Sequence, residues 1–143
     1  MSERNVEVVR RSFEAFLSGD FETAFAAYHP HAEWTTAEDE PDSRIYRGID
    51  EIKRFARTLA EPWADRFDRT VEPEEYLDLG NWVVVPTSGL VHGKGSGIEV
   101  QIRETYAVRL HDHTIVRVDE YRTKEQALEA VGRNLTPGRT LPE

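Results

Sequence analysis

Residues 98–110 read IEVQIRETYAVRL, and this stretch decides the fold. Apolar and polar side chains alternate along it, which is the period expected of a strand that has one face against a core. The even positions, from Ile98 to Leu110, make the apolar face. The turn residues His111-Asp112-His113 and a second strand pattern, Thr114 to Arg122, come next. The pattern therefore predicts two long antiparallel strands joined by a tight turn.

Two more strands are predicted upstream of this pair. Val71 to Leu79 and Trp82 to Val91 are separated by Gly80-Asn81, a turn-forming pair. The loop from Gly93 to Gly97 joins the second of these strands to residues 98–110. It lacks the Gly-Lys-Ser/Thr ending of a phosphate-binding loop, and no helical pattern follows it, so it predicts a hairpin loop.

Helical spacing dominates the first half of the chain. Apolar residues recur three and four apart from the start, Gly19 ends that helix, and Asp20 is placed to cap a short second helix over Phe21 to Tyr28. A third amphipathic helix follows Gly48 and ends near Pro62.

Shorter elements account for the rest of the chain. Ala32 to Thr35 is typical of a short strand, and Glu38 to Arg44 of an acidic loop. Thr123 and Gln126 have the spacing of a capping box, so a last helix is predicted from there to Gly132.

These elements predict one α+β domain over residues 1–133, with a loose tail over residues 134–143. Three N-terminal helices pack on one face of a curved, mixed or antiparallel sheet, a short C-terminal helix follows, and the domain is cone-shaped. A sheet that curls around helices leaves a space at its mouth. We expect that space to be an apolar pocket for a small organic molecule.

Composition narrows the classes of partner. The chain has 143 residues, no Cys and a formal net charge of −9. The lack of Cys excludes disulfides and thiolate chemistry and agrees with a cytoplasmic location. An acidic surface disfavours nucleic acid, because phosphate binding depends on Lys and Arg. We therefore expect no nucleic-acid partner. No apolar run is long enough to span a bilayer, so we expect no membrane association either.

Glu104 is the one acid on the apolar face of residues 98–110. Burial disfavours the charged form of a carboxyl group, so we expect the pKa of Glu104 to be raised, which suits a neutral acid, a hydrogen-bond donor or a catalytic base. The alternatives are a ligand-binding role and a structural ion pair with an arginine, for example Arg117 or one from a helix.

The last predicted strand allows two orientations. Its two sets of alternate residues are Ile115, Arg117, Asp119 and Tyr121, and Val116, Val118 and Glu120. If the first set faces inward, Arg117 and Asp119 join Glu104 in an acid–base cluster beside Tyr121. If the second set does, Asp119 is solvated. The pattern leaves both open.

Histidines and aromatic residues supply further candidates. His29 and His31, and His111 and His113, have spacings that suit metal binding, but no third ligand fits either pair, so no metal is expected. His29 stays a candidate for lining the pocket.

Three aromatic residues are candidates for ligand contact. Trp34 and Tyr46 flank the acidic loop, and Tyr106 lies on the apolar face of residues 98–110. If the last strand has the first of its two orientations, Arg117 and Tyr121 are candidates for ligand contact as well.

Several short motifs occur in an order that resembles a known family. They are VVRRSFEAF (8–16) with SGD (18–20), HP (29–30) with AEW (32–34), YRG (46–48), DLG (78–80), SGIEV (96–100) and ALEAVG (127–132). Together they resemble the ketosteroid isomerase and SnoaL-like polyketide cyclase group of the nuclear transport factor 2-like superfamily, over nearly the whole chain. The resemblance implies the fold predicted above and a homodimer.

The resemblance also assigns roles to residues. The oxyanion-binding acid of the isomerases corresponds to Glu104, but their tyrosine and base positions hold Ser12 and Thr36, so a steroid isomerase of that mechanism is not expected. The late-sheet carboxylate of the cyclases and of limonene epoxide hydrolases corresponds to Asp119. The hydrolases also need an Arg and an Asp two apart on an earlier strand, and Val83 to Thr87 contains neither.

The resulting hypothesis is a cofactor-free isomerase or cyclase for a small hydrophobic organic ligand. Glu104 or Asp119 would move a proton at a carbon next to a carbonyl group. The alternatives are a non-catalytic binding module for a hydrophobic metabolite and an epoxide hydrolase-like enzyme.

Overall fold

A mixed sheet organises the fold. The structure, a computed structural model, describes residues 2–37, 44–64, 67–93, 95 and 97–134, and within them seven strands form one sheet. In chain order the elements are α1 Ser2–Leu17, α2 Phe21–Ala26, β1 Tyr28–Thr35, β2 Ile45–Arg47, α3 Ile49–Ala64, β3 Phe67–Pro73, β4 Leu77–Asp78, β5 Trp82–Gly93, β6 Glu99–His111, β7 Thr114–Tyr121 and α4 Lys124–Asn134. The predicted α+β class is confirmed.

The strands lie in the order β2-β1-β7-β6-β5-β3, and the short β4 also pairs with β5. All neighbours are antiparallel except β1 and β7, which run parallel. The long strands β5 and β6 pair from Trp82 opposite Arg109 to His92 opposite Glu99. The stretch that decided the prediction therefore supplies β6, in the interior of the sheet.

Helices α1, α2 and α3 pack on one face of the sheet, which we call the helix-facing side. Their apolar sides and the strand residues opposite them form one buried cluster: Val9, Phe13, Phe25, Tyr28, Ala32, Trp34, Ile52, Ala56, Val83, Val85, Val108, Leu110, Ile115 and Val118. The even residues of β6 face this cluster, as the alternation predicted. At the start of β6 the helices do not cover this face of the strand, since Ile98, just before β6, and Val100 are 59% and 49% exposed.

Helix α4 packs on the opposite face of the sheet. Ala127 and Val131 lie against Trp82, Val84 and Ala107 in a second buried cluster. The short C-terminal helix therefore covers the side that the three N-terminal helices leave open.

The predicted capping box opens α4. The backbone N–H of Gln126 donates to Thr123 Oγ1 (3.1 Å), and the backbone N–H of Thr123 donates to Gln126 Oε1 (3.2 Å). The helix continues past Gly132 to Asn134. The predicted loose tail beyond it, like most of the predicted acidic loop (residues 38–43), lies outside the described residues.

Several element boundaries differ from the prediction. Helix α2 ends at Ala26, and β1 already begins at Tyr28 and runs through Pro30. The pairing of β1 with β7 shifts register between Tyr28 and Glu33, so the missing N–H of Pro30 falls where the ladder is irregular.

Three further differences concern α3 and the strands on either side of it in the chain. Helix α3 passes Pro62 and ends at Ala64, and Ile45–Arg47 forms an unpredicted edge strand. The predicted strand from Val71 to Leu79 is two strands, β3 and β4, which pair with different parts of β5.

A bulge in β7 changes which of its residues face the helices. Arg109 pairs with Arg117 and Leu110 pairs with Ile115, so Val116 is an extra residue on β7. Strict alternation would put Ile115 and Val118 on opposite faces of the sheet. Because of the bulge, both lie in the helix-facing core.

Candidate functional site

Strands β6 and β7 place polar side chains next to each other on the helix-facing side. Tyr106 lies opposite Glu120 across the two strands, and Glu104 shares the face of Tyr106 because it is two residues away. The Tyr106 hydroxyl donates a hydrogen bond to Glu104 Oε2 (2.8 Å). Arg122 Nη1 lies 3.4 Å from the other oxygen, Glu104 Oε1.

A second carboxyl group, Glu120, lies deeper on the same side. It is buried, and the indole N–H of Trp34 donates a hydrogen bond to Glu120 Oε2. Glu104, Tyr106, Glu120, Arg122 and Trp34 are here called the helix-facing cluster.

Aromatic rings surround the helix-facing cluster. The ring of Tyr106 lies 5.3 Å from that of Phe13 and 5.9 Å from that of Trp34, measured between ring centroids. Tyr46 stacks on Phe55 at 4.2 Å. Trp34, Tyr46 and Tyr106, predicted as ligand contacts, therefore all lie on the helix-facing side of the sheet.

The surroundings of Glu104 differ from the prediction. Its side chain is 25% exposed rather than sealed from water, because it lies towards the part of β6 that the helices do not cover. Its ion-pair partner is Arg122, not Arg117. The carboxyl group is thus both held by partners and open to solvent.

Asp119, Arg117 and Tyr121 lie on the opposite face, towards α4. Asp119 pairs with Ala107, whose side chain belongs to the cluster under α4, and Tyr121 packs against the same cluster. Arg117 Nε lies 3.0 Å from Asp119 Oδ1 and 2.9 Å from Oδ2. Of the two orientations left open by the sequence, the inward-facing residues are thus Val118 and Glu120, and Asp119 does not meet Glu104.

The expectation that Asp119 is solvated in this orientation is wrong. Asp119 is only 5% exposed. The face it occupies is covered by α4 and flanked by β1, whose Thr35 pairs with it. An outward-facing residue of β7 is therefore buried as well.

Burial and pairing act on the pKa values of this ion pair. Burial is the largest effect on the pKa of Arg117 and lowers it, but Asp119, Tyr121 and Glu33 together raise it by more, so the pKa of Arg117 is raised overall. Burial raises the pKa of Asp119, and Arg117 and Thr35 only partly oppose this effect. Asp119 is therefore a carboxyl group that the fold pushes towards its neutral form.

A groove of about 470 Å³, which we call the α4 groove, opens beside Asp119. It is lined by Thr35, Thr36, Ala37, Arg117, Asp119, Glu120, Tyr121, Arg122, Gln126, Glu129 and Arg133. Its volume is that of a site for a small organic molecule. The lining is polar and charged, in contrast to the apolar pocket predicted from the sequence.

The histidines lie apart from both groups of residues. His29 and His31 are exposed on β1, and the backbone N–H of His31 donates to His29 Nδ1 (3.0 Å). Within the described part of the chain, no three His, Asp or Glu side chains are grouped so as to hold a metal ion. His29, predicted to line the pocket, is among neither the groove residues nor the buried cluster.

Sequence reasoning missed Glu120, Arg122 and Gln126 as site residues. Glu120 and Val118 are two residues apart, so the sequence placed them in one alternating set, but no local feature predicted the bulge at Val116. Gln126 was recognised only as a capping residue, and that role is what holds it beside the groove.

The fold, with its helix-filled curved sheet, is that of the nuclear transport factor 2-like proteins. The sequence matches the model of the SnoaL-like domain over residues 9–118, and the chain belongs to this family. A search of curated protein sequences finds no match. No helix in the described residues has both the length and the apolar composition that a membrane span requires.

Solved structures share the fold at low sequence identity. One is a nuclear transport factor 2-like protein of unknown function from Burkholderia pseudomallei, with a TM-score of 0.68, 22% identity, and coverage of 88% of this chain and 95% of that one. A candidate SnoaL-like polyketide cyclase from a Jannaschia species has a TM-score of 0.70, 19% identity, and coverage of 90% and 91%. TerC, co-crystallised with polyporic acid, has a TM-score of 0.70, 20% identity, and coverage of 90% and 98%.

Proposed function

We propose that this protein binds a small organic molecule at the helix-facing cluster and moves a proton on it, with Glu104 as the base. The observation that carries the proposal is the position of Glu104. It is a partly exposed carboxyl group, held by Tyr106 and Arg122, at the edge of an aromatic and aliphatic core. A general base must be reachable by substrate and must also be held in place.

The neighbours of Glu104 suit proton transfer at a carbon next to a carbonyl group. When the carboxylate takes that proton, negative charge develops on the carbonyl oxygen and needs a donor. The Tyr106 hydroxyl donates its one proton to Glu104 Oε2 (2.8 Å) before the reaction. Once that carboxylate has taken up the substrate proton, the hydroxyl turns to the substrate oxygen and acts as this donor. Arg122 orients the carboxylate through its other oxygen. The chain's own groups thus supply a base and an oxyanion donor.

Family membership supports a small-molecule role. TerC shares the fold and was co-crystallised with polyporic acid, and the Jannaschia protein is a candidate polyketide cyclase. The fold hosts many reactions, so the assignment of proton transfer depends on Glu104 and not on the likeness.

Deuterium exchange tests the proposed proton transfer directly. The protein is incubated in D₂O with a panel of aryl ketones, enones and an epoxide, and NMR follows exchange at the carbon next to the carbonyl group. We expect Glu104→Gln to slow the protein-dependent exchange by about 100-fold or more. Tyr106→Phe, which keeps the ring packing and removes the donor, is expected to slow it as well.

Glu99→Gln is the matched control for Glu104→Gln. Glu99 is on the same strand, is exposed, and pairs with His92. Exchange that is equally fast in Glu104→Gln, Tyr106→Phe and Glu99→Gln would overturn the assignment of Glu104. Formation of a diol from the epoxide would instead indicate an epoxide hydrolase-like enzyme.

Binding without catalysis is the second candidate function. Both oxygens of Glu104 already have partners within the chain, as in a structural ion pair. Saturable binding of a panel member with no exchange and no product would favour this function over the first.

A further inference from the structure

We propose that the α4 groove is a second ligand site, for a small organic carboxylate anchored by the terminal nitrogens of Arg117. The groove lies where β1 and β7 end beside α4, and it shares Glu120 and Arg122 with the helix-facing cluster. Its anchor, Arg117, is on the other face of the sheet from Glu104, and the proposal does not depend on the function proposed for Glu104.

Arg117 is held in place before any ligand arrives. Its Nε contacts both oxygens of Asp119, at 3.0 and 2.9 Å, and Asp119 is buried beneath α4. A side chain that is already ordered loses little rotamer entropy on binding. The orientation of the guanidinium plane is thus determined by the fold.

The rest of the guanidinium remains available. The Arg117 side chain is 46% exposed and lines the groove. In the part of the chain that the structure describes, neither of its Nη atoms has a hydrogen-bond partner. Two parallel N–H donors in one plane match the two oxygens of a carboxylate, which is the reason for inferring this ligand class.

The balance of charge around Arg117 also favours an anion. Asp119 and Glu33 oppose the charge of Arg117, but burial pushes Asp119 towards its neutral form, and Glu33 pairs with Arg47 (3.5 Å). The other acids that line the groove have donors of their own, since Glu120 accepts from Trp34 and Glu129 pairs with Arg133 (2.9 Å). A ligand carboxylate on the Arg117 Nη atoms therefore meets a charge that the chain only partly compensates.

Gln126 supplies a second polar contact in the groove. Its Oε1 accepts the backbone N–H groups of Arg122 and Thr123, both at 3.2 Å, at the start of α4. These bonds fix the amide and leave its Nε2 donors without a partner among the described residues. We therefore expect the ligand to carry a carboxylate and a second hydrogen-bond acceptor.

A pair of probes that differ only in charge tests the carboxylate site. The protein is titrated with 2-naphthoate and with 2-naphthamide at neutral pH, and amide signals are followed by heteronuclear NMR. We expect 2-naphthoate to bind saturably and to shift the signals of Thr36, Arg117 and Gln126, which line only the groove, more than those of Glu104 and Tyr106. 2-Naphthamide is expected to bind at least about tenfold more weakly, since a hydrogen bond to a charged group contributes about 1.5–3 kcal/mol.

Variants of two arginines on the same face of the sheet complete the test. Arg117→Gln is expected to weaken 2-naphthoate binding about tenfold or more. Arg103→Gln is the matched control, because Arg103 is exposed on the same face of the sheet, on β6, and does not line the groove. Equal affinity in both variants, equal affinity for the two probes, or no saturable binding of 2-naphthoate would overturn the proposal.

A second variant covers the case in which Arg117→Gln does not fold. The double substitution Arg117→Gln with Asp119→Asn removes the buried charge together with its partner. It is expected to lose 2-naphthoate binding as well. Retention of full affinity in the folded double variant would contradict the role of Arg117.

Discussion

Asp119 and Glu120 are neighbours in the chain and lie on opposite faces of the sheet. Glu120 joins Glu104 and Tyr106 on the helix-facing side, whereas Asp119 joins Arg117 beneath α4. Both carboxyl groups are buried. The resemblance to the cyclases assigned the late-sheet carboxylate to Asp119, but the carboxyl group that shares a face with Glu104 is that of Glu120.

Replacing Asp119 by Asn tests the effect of its burial on stability. Its pKa is raised from 3.8, so the folded protein binds this proton more tightly than the unfolded chain. The group therefore contributes stability at pH below 3.8 that is lost as the pH rises through its folded-state pKa. We expect the free energy of unfolding of the protein to decrease, relative to that of Asp119→Asn, between about pH 4 and pH 7.

Urea unfolding at several pH values measures this difference. Asp112→Asn, which changes an exposed side chain in the β6–β7 turn, controls for the substitution itself. A free energy of unfolding of the protein that increases with pH relative to that of Asp119→Asn, or that keeps a constant offset from it, would contradict the raised pKa.

Among the elements, β5 depends on one glycine at its contact with β3. A Cβ atom on Gly89 would lie 1.9 Å from the carbonyl oxygen of Thr70 and 2.8 Å from Val71 Cα. The backbone of β3 thus approaches β5 more closely than any side chain allows. A glycine inside a strand pattern indicates such an approach, and Gly89 is a glycine of this kind in the sequence of β5.

Substituting alanine at two glycines tests this close contact. We expect Gly89→Ala to lower the free energy of unfolding by about 1–3 kcal/mol or more, because β3 must shift away. Gly132→Ala is the matched control in α4, where nothing lies within 4 Å of the added Cβ. It is expected to raise the free energy of unfolding by up to about 1 kcal/mol, since alanine favours a helix. Urea denaturation measures both, and a neutral Gly89→Ala would contradict the close approach.

For the whole molecule, two groups of polar residues meet at the end of β7. The helix-facing cluster lies on the side of α1, α2 and α3, and the α4 groove opens where β1 and β7 end beside α4. Glu120 and Arg122 belong to both groups, whereas Arg117 and Asp119 lie only in the groove.

The homodimer implied by the family resemblance stays a prediction for the whole molecule. Leu90, Ile98 and Val100 are large apolar side chains exposed near the β5–β6 hairpin, and we expect a second copy to cover this surface. Light scattering at micromolar concentration is expected to give twice the mass of the chain. A monomer mass under those conditions would contradict the prediction. The cytoplasmic location predicted from composition also remains a prediction.

Local patterns determined most elements of this protein. The alternation in residues 98–110 predicted β6 and put Glu104 on the helix-facing side, and the spacing of Thr123 and Gln126 predicted the start of α4. These features depend on side chains within a few residues of each other. Neighbouring residues are sufficient to establish a period of two, a helix cap or a two-residue turn.

Tertiary structure decided the faces and the partners. The extra residue at Val116 arises from the register of β7 against β6, so it determines the faces of Asp119 and Glu120 in a way that alternation alone does not. The pairing of Glu104 with Arg122 requires β6 to lie beside the end of β7, and the groove requires β1, β7 and α4 to come together. The register of paired strands and the packing of a distant helix depend on the whole sheet, and no local pattern of polarity records them.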